Sequence, residues 1–284
     1  MVTLTCPVRD CWRPLEAGPQ TFRCEVGHSH DRARRGYVNL LQPQDKRSVD
    51  PGDRRLAVEA RRRTAERGLT GELIRALGNV IQPYFSKRGA LLDVGCGDGF
   101  ILDALTKTNS FEGWGVDLSR EGIELAARSY PNLDWVIANG DRRLPFADAS
   151  FRVLLSITGP KNAPEYRRLL ETDGLLIVAV SAPDDQAELR ELVLGAAHAS
   201  DRSRRMQEVF GELFEWRETL EARQTVNLDR AALRDLLDGA YRGVRHGAKE
   251  RFDAVETMVV TLSHSLVIFT PRPGTPKRRV RLGE

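Results

Sequence analysis

The sequence predicts an α/β protein built on a mostly parallel sheet, and three features carry that expectation. From Ala90 onward, apolar β-rich runs alternate with segments of helical periodicity. The first such run ends in an acid, Asp93, and then a glycine-rich turn, Gly95-Cys-Gly-Asp-Gly99, before a helix-like segment begins. The chain has 284 residues, 41% of them hydrophobic, enough for one large core and a small second unit.

Residues 1–41 are rich in turn formers and poor in core residues. Residues 42–55 are polar, contain two prolines and read as a linker. Residues 56–81 have helical spacing, with Gly68 as a break. Strands are expected at 90–94, 114–118, 133–137, 152–157 and 175–180, and helices at 100–107, 120–129 and 163–170. Such alternation places helices on both faces of a parallel sheet. Residues 187–247 read as mostly helical, with 214–226 a candidate extended run. Two further β-rich runs, 257–262 and 265–270, flank Ser263-His264 and suggest an antiparallel hairpin on the sheet edge.

No apolar run approaches the roughly 18 residues that span a bilayer, and the N-terminus lacks a basic-then-apolar signal pattern. The expectation is a cytoplasmic protein with no membrane partner. The net charge is +3 but unevenly spread: +5 over residues 1–63, +4 over the tail 272–284, and −6 over the remainder. Basic ends on an acidic body suit a polyanion, although arginine-rich termini also occur merely as solvated segments.

The glycine turn addresses a cofactor. Glycines let backbone approach a bulky ligand and adopt turns that other residues resist. A nicotinamide site wants G-x-G-x-x-G and a diphosphate at the helix N-terminus. Here the spacing is Gly95-x-Gly97-x-Gly99 with Asp93 upstream. That pattern suits S-adenosyl-L-methionine, whose ammonium Asp93 can hold directly or through water. Cys96 reads as a small packing residue between glycines, and Asp98 completes the turn. Asp117, with Leu118 behind it, ends the second strand where an acid can take both ribose hydroxyls. Asn139, Gly140 and Asp141 end the third strand, where a polar group can read the adenine edge. Lys161 and Asn162 follow the fourth strand, where the target pocket is expected. The fold these features define is a class I (Rossmann-like) methyltransferase sheet.

Three of the four cysteines crowd into the first 24 residues. Cys6, Cys11, Cys24 and His28 are separated by four, twelve and three residues, the logic of a tetrahedral Zn2+ site. A segment this short needs such a staple. His30 competes with His28 as fourth ligand, and three buried thiols without metal is the plainer alternative. The segment that follows, Asp31 to Leu41, combines arginines with Tyr37 and Asn39. It suits RNA, whose bases stack on aromatic and guanidinium planes, or equally a packed Tyr37 among solvated arginines.

The order of these pieces resembles one family. A Cys/His knuckle precedes Gly-Tyr-Val-Asn-Leu-Leu at 36–41 and Lys-Arg-Ser-Val-Asp-Pro-Gly-Asp at 46–53. The cofactor turn and Leu-Pro-Phe at 144–146 follow. The chain is similar to the 23S rRNA guanine-N1 methyltransferases of the RlmA type, whose actinobacterial relatives give resistance to tylosin-like macrolides. The resemblance implies a zinc-binding RNA-recognition domain at 1–41, a linker at 42–55, an S-adenosylmethionine-dependent methyltransferase domain at 56–271 and a basic tail at 272–284. It also implies a homodimer with a cleft for a 23S rRNA hairpin. Cys6, Cys24 and His28 carry over as zinc ligands, and Cys11 joins them across a two-residue insertion. Gly97 and Asp98 match cofactor contacts. Two positions depart from the family. Leu69-Thr70 stands where a His-Tyr pair follows a glycine, and Asp185 stands where a histidine follows the fifth strand.

The expected chemistry is methyl transfer to N1 of a guanine, a nitrogen that must lose its proton. No residue announces itself as the base, and Asn162 and Lys161 are the candidates to orient or polarise the target. Two rival readings share the fold: a small-molecule methyltransferase of an antibiotic pathway, and a non-catalytic RNA-binding protein.

Overall fold

The computed structural model describes residues 2–9, 11–45, 52–85, 89–108, 111–195, 200–240 and 249–274. Most of the 46–53 motif and of the basic tail therefore lies outside the described residues. The N-terminal knuckle is a small antiparallel sheet, β1 (Glu16–Ala17), β2 (Thr21–Arg23) and β3 (Ser29–Asp31). The chain then forms β4 (Val38–Asn39), α1 (Arg55–Glu66) and α2 (Gly71–Ile81). The alternating part follows: β5 (Ala90–Val94), α3 (Phe100–Thr108), β6 (Glu112–Asp117), α4 (Arg120–Ser129), β7 (Asp134–Ile137), β8 (Phe151–Ile157), α5 (Ala163–Leu169) and β9 (Leu170–Ser181). Last come α6 (Ala187–Leu194), α7 (Arg202–Phe210), β10 (Phe214–Asp229), α8 (Arg230–Gly239), α9 (Lys249–Asp253) and β11 (Thr257–Pro271).

Eight strands form the main sheet in the order β10-β11-β9-β8-β5-β6-β7-β4. From β9 to β4 neighbouring strands run parallel. All five residues of β5 are buried, as expected of a central strand covered by helices on both faces. The chain winds outward from β5 through β6 to β7 and returns to β8 on the other side of β5. That places a topological switch point at the carboxyl end of β5, where open α/β sheets bind their ligands.

The antiparallel addition at the edge is present, but it does not turn at Ser263-His264. β11 is one continuous 15-residue strand, with Ser263 and His264 in its middle. It pairs with β9 on one side and with β10 on the other. The expected extended run at 214–226 is thus a 16-residue strand, and its helical connection through α8 and α9 replaces the hairpin. No glycine or proline interrupts β11 before its end, so its two polar central residues stay in extended backbone.

The residues read as a linker are partly structural. Gly52 has φ +98°, and a Cβ there would lie 2.6 Å from the Ser119 Cα. The Ser119 hydroxyl donates to the Asp53 carbonyl at 2.8 Å, and the Asn139 amide donates to the Asp45 carbonyl at 2.8 Å. The described ends of the segment therefore rest at the carboxyl ends of β7 and β6, and the second leads into α1, which lines the cavity at the switch point. There α1 packs on α8. Buried Asp235 of α8 accepts from Arg63 Nε at 2.9 Å and pairs with Arg67, and the Arg61 guanidinium donates to the Gly239 carbonyl at 3.1 Å.

The knuckle and the sheet share a core. Val2, Leu4, Cys6, Leu15 and Cys24 are buried with Trp114, Val136, Leu144 and Phe146. The backbone joins them too: Thr5 N–H donates to the Pro145 carbonyl at 2.9 Å, and Ala147 N–H to the Thr3 carbonyl at 3.0 Å. The Leu-Pro-Phe motif is thus the strip on which the N-terminal segment docks. β4 extends the sheet beside β7, with Leu40 N–H donating to the Ile137 carbonyl at 2.9 Å.

Replacing Asp235 by Ala strands two arginines at the α1–α8 contact. The expected cost is about 1–3 kcal/mol, below the range for a fully buried pair because both arginines are partly solvated. The midpoint of urea unfolding checks it.

Candidate active site and metal centre

A cavity of about 650 Å³ opens at the switch point. Its floor is the predicted turn. Gly95, Gly97 and Gly99 all have positive φ, +84°, +56° and +76°, a region that costs other residues 1–2 kcal/mol or so. Gly99 is packed from behind, since a Cβ there would meet the Trp135 ring at 2.2 Å. Gly97 has open space before it and faces the cavity. The turn is braced by Asp117, whose carboxylate accepts from Gly97 N–H at 2.8 Å and from Ser119 N–H at 2.7 Å. Each carboxylate oxygen keeps a second acceptor site for a ligand.

Asp93 is the least compensated group in the site. It is 2% exposed, and its Oδ1 has no hydrogen-bond partner among the described residues. Burial, and then the negative charge of Asp117, push its pKa up to about 7. An unpartnered buried carboxyl facing a cavity is a cradle for a cation. Thr70 lines the same cavity, and its Oγ1 is likewise buried without a partner. Asp98 caps α3 by accepting from Phe100 N–H at 3.3 Å and lies 3.3 Å from the Arg62 guanidinium, with burial raising its pKa.

Leu118, Asn139, Gly140 and Asp141 line the cavity as expected. The Asn139 side chain is engaged, however: its amide holds the Asp45 carbonyl and its oxygen accepts from Asp141 N–H at 3.0 Å. Cys96 also lines the cavity, but burial raises its thiol far above the ordinary range, which suits packing and not nucleophilic attack.

Lys161 and Asn162 do not line this cavity. Lys161 Nζ donates to the Gly159 carbonyl at 2.8 Å and to Ser156 Oγ at 3.3 Å, and burial lowers its pKa to about 8. The Asn162 amide donates to the carbonyls of Gly140 and Arg142 at 3.1 and 3.0 Å. Both side chains point back into the loops they hold. Residues that sequence reasoning passed over take their place. Gly52, Asp53 and Arg61 close one side, Arg202, Gly239 and Ala240 another, and Ser181 ends the wall. Only the Gly52-Asp53 step after a proline hinted at a structured turn.

The second site is the knuckle. Cys6, Cys11, Cys24 and His28 each bring one ligand atom, all within 4.8 Å of one another. Cys6 Sγ and Cys24 Sγ lie 3.4 and 3.5 Å from His28 Nδ1, and Cys11 Sγ lies 3.8 Å from Cys24 Sγ. Tetrahedral zinc with bonds of about 2.3 Å to sulfur and about 2.0–2.1 Å to nitrogen separates its ligand atoms by about 3.5–3.8 Å. The donor set therefore fits zinc in chemistry and spacing. His30 Nε2 comes within 3.6 Å of Cys6 Sγ but stands outside the four-atom cluster.

Tyr37 resolves an alternative left open by the sequence. It is buried, and its hydroxyl donates to Glu124 Oε1 at 3.1 Å, so it is packed and not a stacking platform. An accessible aromatic–guanidinium pair occurs elsewhere, where Arg143 lies 4.2 Å over the half-buried Trp12 ring.

The parallel sheet, the glycine turn at its switch point and the orphan carboxyl define a class I methyltransferase with S-adenosyl-L-methionine as its cofactor, joined to a zinc ribbon. Family models agree. One described as "RlmA, N-terminal" matches residues 4–49, and one described as "Methyltransferase domain" matches residues 91–174. The chain is 33% identical over 235 residues to the Streptomyces fradiae 23S rRNA (guanine(748)-N(1))-methyltransferase, covering 81% of each chain. It is 36% identical over 195 residues to YxjB of Bacillus subtilis, provisionally named for the same class of reaction, covering 66% of this chain and 67% of that one. Among solved structures, the YcgJ protein of Bacillus subtilis superposes with a TM-score of 0.51 at 18% identity, over 70% of this chain and 99% of that one. The chain belongs to the 23S rRNA (guanine-N1)-methyltransferase family. No helix among the described residues is long and apolar enough to cross a membrane.

Asp93 gives the site a pH signature. Its raised pKa means the ligand-free fold loses stability as pH rises from the ordinary carboxylate value of 3.8 through about 7. A cation that binds only the ionised form gains affinity over that window. Calorimetric affinity for S-adenosylhomocysteine is expected to rise up to about tenfold per pH unit between pH 5 and 7. In Asp93→Asn the rise is expected to vanish.

Proposed function

We propose that this enzyme methylates N1 of a guanine in a 23S rRNA hairpin, in the cytoplasm where that RNA is made. The observation that carries the reading is the fusion of the cofactor cavity to the zinc knuckle. The loop that lines the cavity at Asn139–Asp141 continues directly into the strip, 144–147, on which the N-terminal segment is docked. A module built to hold RNA is thereby fixed against the wall of the methyl-transfer site. A hairpin guanine is reachable because its base can be splayed out of the stack.

The bound cofactor supplies an electrophilic methyl group on a sulfonium. Asp93 is placed to hold its ammonium, and Asp117, with spare acceptor sites, to hold its ribose hydroxyls. Gly97 lets the backbone come close. Thr70 cannot stack as an aromatic would, but its orphan hydroxyl offers a polar contact. Lys161 and Asn162 act as positioning residues, since their donors fix the carbonyls of Gly159, Gly140 and Arg142 around the target side. Much of the rate then comes from alignment of the reacting atoms. Cys6, Cys11, Cys24 and His28 are the zinc ligands in this reading, and the ion replaces the core that so short a segment lacks. The homodimer and the link to macrolide resistance belong to the same proposal and rest on family resemblance.

Transfer of a tritiated methyl group to unmodified 23S rRNA, mapped by primer extension, is expected to stop at a single hairpin guanine. Label absent from rRNA while the cofactor binds would reject the substrate. Cys24→Ala is expected to purify with far less than one zinc per chain by elemental analysis. Full zinc content in that variant would defeat the ligand set.

A further inference from the structure

Guanine N1 carries a proton before methylation and cannot keep it afterwards. Four aspartates of the cavity are poorly suited to take it, Asp93 among them because the proposed function gives it to the cofactor's ammonium. Asp98 lies beside Arg62, Asp117 braces the glycine turn, and Asp53 is paired with Arg61. The wall of the cavity ends on Ser181, the last residue of β9. In the β9–β11 register Ser181 stands directly opposite His264. Opposed residues of antiparallel strands share a face, with Cβ atoms about 4.5–5.5 Å apart. On the other side of His264 the β10 partner is Ala222, a small residue with no polar side-chain atom. Asp185, four residues beyond Ser181, is buried, and its carboxylate accepts from the N–H of Ser263, the residue next to His264.

We propose that Ser181, His264 and Asp185 form a proton relay for the guanine-N1 reaction, with Ser181 facing the target base and His264 as the final acceptor. The proposal rests on the substrate reading above. As N1 gains the methyl group, the N1–H bonding pair stays on N1 and its proton passes to Ser181 Oγ. Ser181 gives its own proton to a ring nitrogen of His264. The positive charge that entered with the sulfonium ends on the imidazolium, beside Asp185. This assigns a use to Asp185, one of the two positions where the chain departs from its family.

The surroundings keep His264 a base. Burial lowers its pKa, and the Asp185 charge partly restores it, so the ring is neutral near pH 7. The other charged groups near it are committed. On β10, Arg223 is paired with Asp184 at 2.8 Å. On α6, the Glu188 carboxylate accepts from Thr261 N–H and Oγ1 at 3.0 and 2.8 Å. Toward α2 the cavity presents Thr70, which is uncharged.

The test uses the full-length, zinc-loaded protein and 23S rRNA. His264→Gln and Ser181→Ala are expected to lower kcat by roughly 100-fold or more while S-adenosylhomocysteine affinity stays within about twofold, which also shows that the variants fold. Asp185→Asn removes the charge that raises His264. The acid limb of the kcat–pH profile is then expected to move to lower pH, together with the His264 titration followed by NMR. Full kcat in His264→Gln overturns the relay, as does a shift of the imidazole titration with no shift of the rate limb. If the wild-type protein binds cofactor but leaves guanine N1 unmethylated, the substrate reading fails and the relay falls with it. If mapped methylation is intact but the variants behave as wild type, only the relay fails.

Discussion

A buried carboxyl whose Oδ1 has no hydrogen-bond partner among the described residues organises this molecule. Asp93 is the penultimate residue of the central strand, is 2% exposed, and has its pKa raised by burial and by the nearby acid Asp117. Burial of an unpaired anion is costly, and a bound cation offsets that cost. The three positive-φ glycines, the brace from Asp117 to Gly97 and the packing of Trp135 behind Gly99 set the shape of the turn that follows that carboxyl. The cover over the cavity follows from the same point. Gly52 can lie against Ser119 because it has no Cβ, and from there α1 runs over the site to be clamped on α8.

The zinc knuckle is not a tethered accessory. Its first strand-like residues pair with residues 145–147, and Trp12, next to Cys11, packs under Arg143. The loop between the cofactor wall and this docking strip is short and held by the Asn162 amide. A joint of this kind fixes the knuckle against the wall of the cofactor cavity, which a flexible linker would not do.

Much of this was legible in the sequence because the signals are local. Alternating strand and helix runs, the glycine spacing after an acid, and four soft ligands in one short segment each depend on neighbours in the chain. What escaped depends on distant partners. Ser263-His264 looks like a turn because two polar residues split an apolar run, yet both lie in strand where β9 ends and the cavity begins. Residues 42–55 look like a spacer because they are polar, yet Gly52 and Asp53 dock on Ser119. Lys161 and Asn162 fall on the expected loop, but sequence does not give direction, and their donors turn to backbone carbonyls. Tyr37 reads equally as packed or as a stacking platform in the sequence, because the partner of its hydroxyl, Glu124, lies 87 positions away.

In the proposed function the Asp93 carboxyl holds the ammonium of an S-adenosylmethionine-type ligand. Calorimetry with S-adenosylhomocysteine and with its analogue lacking the α-amino group tests it most directly. Loss of the amino group is expected to weaken binding by roughly 10- to 100-fold, the range for a charge-assisted contact worth about 1.5–3 kcal/mol. Equal affinity for the two ligands would contradict the account.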